Sequence, residues 1–214
     1  MIDFARHTFH PVIDLPERYE VLDFTHGYNA NHTPSTGYAI GKYDEKRRGM
    51  YTARLFGAPG GSEGQSGSGR PAGSEGERRD VHMGIDIGCP VGTPVRAFFP
   101  GRVHRQGYLP AEGDYGHVLV TEHLLDGRSL FALHGHLSAD SLTLHREGET
   151  FAAGDVIGHV GHRQENGGWN PHLHFQLSLL RPDAFDLPGV VAESQRTWAR
   201  SVFPDPRLVL GPLY

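Results

Sequence analysis

The sequence contains a single cysteine, Cys89, among its 214 residues. One cysteine excludes an internal disulfide and a zinc site built from several cysteines. We expect Cys89 to be a small buried residue rather than a metal ligand. Basic residues are also fewer than acidic ones, because the chain has 20 lysines and arginines and 25 aspartates and glutamates. Nucleic-acid binding requires a clustered basic surface, so we expect no nucleic-acid partner.

Long apolar runs are also lacking. No segment approaches the roughly 18 consecutive apolar residues of a transmembrane helix, so we expect no membrane span. The first 20 residues lack the charged segment and the following apolar segment of a secretory signal. They predict a cytoplasmic location for the sequence as given, or a periplasmic or extracellular one if the chain is processed or exported by another route. The composition indicates no oligomeric state.

Glycine and proline are abundant. The 29 glycines and 15 prolines make about a fifth of the chain, against an average near 12%. This disfavours a helical bundle, and apolar-rich runs closed by turn residues predict an all-β fold built on an antiparallel sheet. The predicted strands are 19–24, 51–56, 94–99, 101–106, 117–123, 129–137, 156–161 and 172–180, with a short helix near 192–201.

The composition changes along the chain and divides it into four segments. Residues 1–56 are an N-terminal extension. Residues 57–79 are dominated by Gly, Ser, Pro and charge, which predicts a flexible linker or mobile loop. Residues 80–180 hold most of the predicted strands, and 181–214 form a tail that we expect to pack on them.

Histidine is the most informative residue type, with 15 copies. Side chains alternate between the two faces of a strand, so His172 and His174 share one face and the intervening Leu173 points to the core. By the same rule we expect His134 and His136 to share a face. Two histidines at this spacing offer neighbouring donors to a metal ion.

A third donor must come from elsewhere in the chain. His82 and Asp86 share a face if residues 81–86 are extended, and they could complete a His/Asp/His set for zinc. Three protein ligands leave a fourth position for water, as in catalytic zinc sites. Each pattern alone is expected by chance about once in such a chain, so a solvated polar strand face is the alternative.

Five segments in order carry a resemblance to a known family. They are HMGIDIGCPVGTPVRAFFPGRV (82–103), GDYGHVLVTEH (113–123), LHGHLS (133–138), GDVIGHVG (154–161) and NPHLHFQL (170–177). Residues 80–180 thereby resemble the LytM/lysostaphin-type zinc endopeptidases, which cleave peptide cross-links of bacterial peptidoglycan. The resemblance implies an antiparallel sheet with a groove walled by long loops, with the zinc on the floor of the groove.

Matched position by position, the resemblance implies one zinc ion per chain, bound by His82, Asp86 and His174. The two further active-site histidines fall on His136 and His172. One of them would act as general base and the other would stabilise the oxyanion, and the sequence does not divide these roles. No glutamate of the HExxH kind is present, so a histidine must take the place that glutamate has in other metallopeptidases.

Some features depart from this pattern. His134 stands where the family often has tyrosine, which predicts a structural or substrate-facing residue. Asn29 and Asn31 lie in a turn-rich segment that could fold over the groove, as in a latent enzyme. Residues 166–177 and 204–211 show a weaker resemblance to the version of this domain found between kinase-like and class III aminotransferase modules.

Three functions are therefore open. The first is a zinc peptidase that acts on peptidoglycan-derived peptides. The second is a non-catalytic metal-binding module that activates other enzymes. The third is a cytosolic zinc hydrolase of a small substrate.

Overall fold

The computed structural model describes residues 2–57 and 76–214, and strands account for most of its regular structure. The strands are β1 (Glu20–Leu22), β2 (Ala39–Gly41), β3 (Glu45–Lys46), β4 (Arg79–His82), β5 (Ile85–Gly88), β6 (Pro94–Arg96), β7 (Gly101–Leu109), β8 (Gly116–Leu125), β9 (Arg128–Leu137), β10 (Thr150–Phe151), β11 (Val156–His159), β12 (His172–Ser178) and β13 (Val190–Ala192). The helices are α1 (Ser141–Leu144), α2 (Arg196–Val202) and α3 (Arg207–Leu210), with 3-10 turns at Phe4–Arg6, Arg54–Phe56 and Glu193–Gln195. None of these described helices is long and apolar enough to cross a membrane.

The central element is a sheet of eight strands in the order β1-β2-β5-β12-β9-β8-β7-β10. Neighbouring strands are antiparallel, as predicted, except that β1 and β2 run parallel. Two small antiparallel sheets, β13-β4-β3 and β11-β6, accompany it. The described part of the chain is therefore all-β in class, with a short helix between β9 and β10 and two more near its end.

The middle of the large sheet is buried on both faces. Leu173 and Phe175 of β12 join one apolar cluster, which also holds Ile87. Leu133 of β9 and Met83 belong to a second cluster on the opposite face. A strand buried on both faces does not alternate apolar and polar residues, which explains the continuous apolar character of β9.

Most predicted strands are present, and one is wrong. Residues 51–56 form no strand, and a 3-10 turn lies at Arg54–Phe56. The rings of Tyr51 and Phe56 pack against each other with centroids 4.9 Å apart and contact Val190 in a third apolar cluster. The turn brings the two aromatic side chains together, which an extended chain would not do. The helix predicted near 192–201 is α2.

The N-terminal residues pair directly with the strands that follow residue 78. Strand β2 pairs with β5, and β3 pairs with β4. The predicted linker at 57–79 lies largely outside the described residues, because 58–75 are not among them. The division of the chain into four segments stays a prediction.

Candidate metal centre

Three side chains that the sequence analysis named meet at one point. Nε2 of His82 lies 3.0 Å from Nδ1 of His174. Oδ1 of Asp86 lies 3.2 Å from the former atom and 3.1 Å from the latter. All three residues are buried. These donor atoms form a nearly equilateral triangle.

Strand pairing brings these residues together. Asp86 of β5 lies directly opposite His174 of β12, and His82 ends β4, with two residues between it and the start of β5. The chain turns between them at Gly84, where there is no space for a side chain. A Cβ at this position would lie 2.5 Å from Cε1 of His174.

The triangle fits a zinc ion. Zinc binds imidazole nitrogen and carboxylate oxygen at about 2.0–2.1 Å in a tetrahedron, which places neighbouring ligand atoms about 3.3 Å apart. The observed separations of 3.0–3.2 Å are close to that value. Two imidazoles and one carboxylate are also a donor set that zinc accepts.

Hydrogen bonds on the far side of each imidazole set its tautomer. Nδ1 of His82 donates to the main-chain oxygen of Lys42 at 3.0 Å, and Nε2 of His174 donates to Oε1 of Gln176 at 3.1 Å. The nitrogens turned toward the shared point therefore carry lone pairs. Such outer partners orient metal ligands and fix their tautomers.

The protonation states of His82 and Asp86 favour the binding of a metal cation. Burial lowers the pKa of His82 to about 4, and the neighbouring Arg47 acts in the same direction. Burial alone would raise the pKa of Asp86, but His82 and Arg47 hold it well below its usual value. His82 is thus neutral and Asp86 ionised at pH 7, as metal ligands must be.

His136 and His172 lie beside the triangle. Their ring centroids are 4.2 Å apart, and the ring of His136 lies 6.3 Å from that of His174. Nε2 of His172 is 3.7 Å from Oδ1 of Asp86. Burial, more than any other cause, lowers the pKa of both His136 and His172. The two imidazoles are therefore neutral at pH 7 and able to accept a proton.

The prediction that His134 and His136 share a face is wrong. His134 lies opposite Phe175, and their rings pack 5.4 Å apart on the core side of the sheet. His136 would follow His134 onto that side, but its backbone has a φ of 65°. This left-handed conformation is unusual for a residue other than glycine, and it turns the imidazole to the opposite side, toward His172. His134 is buried in the core, which fits the structural alternative.

Sequence reasoning missed the residues that surround these groups. Tyr115 packs against His136 and His174, with centroids 5.6 and 5.1 Å away. Arg47 contacts Asp86, and Gln176 contacts His174. Strand alternation puts Gln176 on the same face as His174, but no pattern in the sequence points to Arg47 or Tyr115.

A cleft of about 700 Å³ opens beside the centre. Asp86 and His172 stand at one side of it, and Asn29, Asn31 and Trp169 also line it. The loop of Asn29 and Asn31 is held there, because Nδ2 of Asn170 donates to the main-chain oxygen of Ala30 at 2.9 Å. A latent state stays a prediction.

Cys89 is buried, as expected, and it is not one of the three residues that meet. Burial raises the pKa of its thiol to about 12. A thiol with such a pKa is protonated at neutral pH and is a poor metal ligand.

Comparison with known proteins decides the family. Residues 80–185 match Peptidase family M23. This region, slightly under half of the 214 residues, is an M23-type peptidase domain by sequence. The match covers the donor triangle and both neighbouring histidines, and it confirms the LytM/lysostaphin-type resemblance. The weaker resemblance to the kinase-fused version of the domain stays a prediction.

The relatives of this M23 domain include proteins that are named as peptidases. The chain is 38% identical over 99 residues to "DD-carboxypeptidase/endopeptidase Mpg" of Neisseria meningitidis serogroup B, an alignment that covers 46% of the chain and 20% of that relative. The corresponding Mpg of Neisseria gonorrhoeae is equally similar. The chain thus spans about a fifth of the length of the curated relatives it matches.

Two solved structures are also similar. A zinc-containing peptidase from Vibrio cholerae is 28% identical, with a TM-score of 0.39 and coverage of 54% of this chain and 30% of that one. The catalytic domain of lysostaphin from Staphylococcus simulans is 23% identical, with a TM-score of 0.39 and coverage of 56% and 80%. Because these TM-scores are low, the assignment of residues 80–185 to the M23 family rests on the sequence match.

Proposed function

We propose that this protein is a zinc-dependent metalloendopeptidase that hydrolyses an amide bond in peptidoglycan cross-links or stem peptides. The observation that carries the proposal is the triangle of donor atoms from His82, Asp86 and His174, with two neutral imidazoles beside it. A structural zinc site has four protein ligands, whereas a catalytic site has three and keeps one position open.

In this proposal, His82, Asp86 and His174 hold the zinc ion through Nε2, Oδ1 and Nδ1. When bound, zinc supplies Lewis-acid polarisation of the scissile carbonyl and activation of a water nucleophile. The ligand side chains need little rearrangement, because their donor atoms already lie 3.0–3.2 Å apart.

His136 and His172 are proposed to transfer protons and to stabilise the negative charge that develops on the carbonyl oxygen. Each holds its ring proton on Nδ1, which donates to a main-chain oxygen, that of Asn166 for His136 and that of Asn170 for His172. Each Nε2 is therefore free to accept a proton. One imidazole would take the proton of the attacking water and deliver it to the leaving amine, and the other would take up a second proton from solvent and stabilise the oxyanion.

The substrate class rests on similarity. The Mpg proteins are named as carboxypeptidase and endopeptidase, and the M23 domain here is 38% identical to theirs. The cleft of about 700 Å³ beside Asp86 and His172 has room for a peptide segment. Cleavage of cell-wall peptides requires a location outside the cytoplasm, in contrast to the location predicted from the first 20 residues.

A turnover assay tests the proposal. The zinc-loaded protein is incubated with purified peptidoglycan, with soluble cross-linked muropeptides and with a small-molecule amide panel, and the products are identified by mass spectrometry. We expect new amino groups from the cross-linked substrates, loss of activity with a chelator, and recovery with added zinc. Zinc binding without turnover of any peptide would support the non-catalytic module, and activity confined to the small amides would support the small-substrate hydrolase.

A further inference from the structure

Arg47 is a completely buried arginine next to the donor triangle. Its Nη1 donates a 2.6 Å hydrogen bond to Oδ2 of Asp86, and its Nε donates a 3.1 Å hydrogen bond to Oε2 of Glu45. A buried guanidinium is costly unless it is paired and hydrogen-bonded. Asp86 and Glu45 supply this pairing.

The two carboxylate oxygens of Asp86 therefore have different partners. Oδ2 is taken by Arg47, whereas Oδ1 lies 3.2 Å from Nε2 of His82 and 3.1 Å from Nδ1 of His174. Only Oδ1 therefore belongs to the donor triangle. A carboxylate held in this way offers one oxygen to a metal ion, so the other cannot occupy a further coordination position.

A second ligand is fixed from the same stretch of chain. The main-chain oxygen of Lys42 accepts a hydrogen bond from Nδ1 of His82 at 3.0 Å and another from Nη2 of Arg47 at 3.2 Å. Lys42, Glu45 and Arg47, which we call the N-terminal clamp, thus hold two of the three donor side chains. These residues lie outside the region 80–185 that matches the M23 family.

The sheet holds the N-terminal clamp in place. Glu45 lies opposite His82 across β3 and β4, and Gly41 lies opposite Asp86 across β2 and β5. A Cβ at Gly41 would lie 2.8 Å from Nη2 of Arg47. Glycine at this position therefore leaves the space that the guanidinium fills between the strand and the carboxylate.

We propose that Arg47 is a positioning residue that keeps Asp86 a one-oxygen metal ligand, and that the N-terminal clamp completes the metal centre of this M23 domain. This inference rests on the proposed zinc site. If the wild-type protein fails to bind zinc, the proposed function fails. If the wild type binds zinc and the Arg47 variants bind it equally well, only this inference fails.

The test compares the full chain with Arg47→Met, Arg47→Lys and a control, Arg79→Met. Arg79 is also a buried arginine, but its guanidinium donates to the main-chain oxygen of Leu55 and lies over the ring of Phe56. Circular dichroism first shows that each variant is folded. Zinc affinity is then measured by competition with a chromophoric chelator, and the visible spectrum of the cobalt-substituted protein reports the coordination number.

We expect zinc affinity to fall about 10- to 100-fold in Arg47→Met, the usual effect of losing an outer partner of a metal ligand. The cobalt spectrum should shift toward a higher coordination number, because Oδ2 of Asp86 is released. Arg47→Lys keeps the charge but cannot reach Asp86, Glu45 and the Lys42 oxygen together, so we expect a smaller loss of affinity. Arg79→Met should keep wild-type affinity and the wild-type spectrum.

Wild-type zinc affinity together with a wild-type cobalt spectrum in folded Arg47→Met would overturn the inference. So would a loss of affinity no larger than that of Arg79→Met. If Arg47→Met does not fold, Arg47→Lys decides by the same two measurements, since it retains the buried cation. The cobalt spectrum separates positioning from a purely structural role, because loss of stability alone leaves the coordination number unchanged.

Discussion

The main-chain oxygen of Asn166 accepts a 2.8 Å hydrogen bond from Nδ1 of His136. Four residues later in the same loop, the main-chain oxygen of Asn170 accepts a 2.7 Å hydrogen bond from Nδ1 of His172. One loop therefore sets the tautomer of both imidazoles and leaves each Nε2 as an acceptor. Neither imidazole belongs to the donor triangle, which separates their proposed role from that of the ligands.

Replacing His136 or His172 by alanine should leave zinc binding intact and reduce turnover about 10²- to 10⁴-fold, the usual contribution of a positioned acid or base. Metal analysis and initial rates on a cross-linked muropeptide measure the two quantities. His117→Gln is the control, because His117 stacks on Tyr108 and is not one of the three donor residues. This variant should keep both zinc binding and turnover. Unchanged turnover in His136→Ala would exclude a role for that imidazole in proton transfer or charge stabilisation.

Gly84→Ala should weaken zinc binding about 10-fold or more, comparable to the loss of an outer partner. The added Cβ would lie 2.5 Å from Cε1 of His174, so the imidazole must move away from the triangle. Gly88→Ala is the control in the adjoining strand, because its Cβ would meet Ala39 at an ordinary 3.5 Å. Equal zinc affinities of the two variants, measured by chelator competition, would show that the close approach to His174 is relieved elsewhere.

Acid should destabilise the metal-free protein through two histidines, His123 and His134, whose rings pack against the apolar core at Phe98 and Phe175. Burial lowers the pKa of His134 to about 3 and that of His123 to about 4. The unfolded chain binds a proton at each position below pH 6.5, whereas the folded chain does not until pH 3 or 4. Stability is therefore lost as the pH falls from 6.5, by about 1.4 kcal/mol per pH unit for each histidine.

His134→Phe should reduce this acid slope by about 1.4 kcal/mol per pH unit. Phenylalanine is a suitable replacement because it keeps an aromatic ring against Phe175. The Nε2 atom of His134 has no hydrogen-bond partner among the described residues. Urea unfolding of chelator-treated protein between pH 7 and pH 5 gives the slopes. An identical slope in the variant and the wild type would mean that His134 does not carry this proton linkage.

The strand pattern predicted part of the site well. In β12, the alternation of His172, Leu173 and His174 predicts the apolar side chain in the core and both imidazoles on the other face. Leu173 does join the apolar core, and both imidazoles lie beside Asp86. The alternation of side chains along a strand is a local property, so it can be recognised from a single segment of sequence. The convergence of His82, Asp86 and His174 depends on distant segments, and it was expected mainly because of the family resemblance.

Other features depend on tertiary structure and had no local signal. The imidazole of His136 points toward His172 because the backbone of His136 has a φ of 65°. Nothing about histidine as a residue type predicts this left-handed conformation. Arg47 lies in a run of charged residues, a pattern typical of an exposed surface. It is nevertheless buried, because β3 pairs with β4, more than 30 residues later in the sequence. Pairing over such distances is set by the whole sheet rather than by the residues near Arg47.

The most direct test of the account is a crystal structure of the zinc-saturated protein with anomalous data at the zinc edge. We predict one zinc ion per chain, bonded to Nε2 of His82, Oδ1 of Asp86 and Nδ1 of His174, and loss of that ion in His174→Ala. A zinc ion at other residues, no zinc at saturating concentration, or one zinc ion retained by His174→Ala would contradict the central claim.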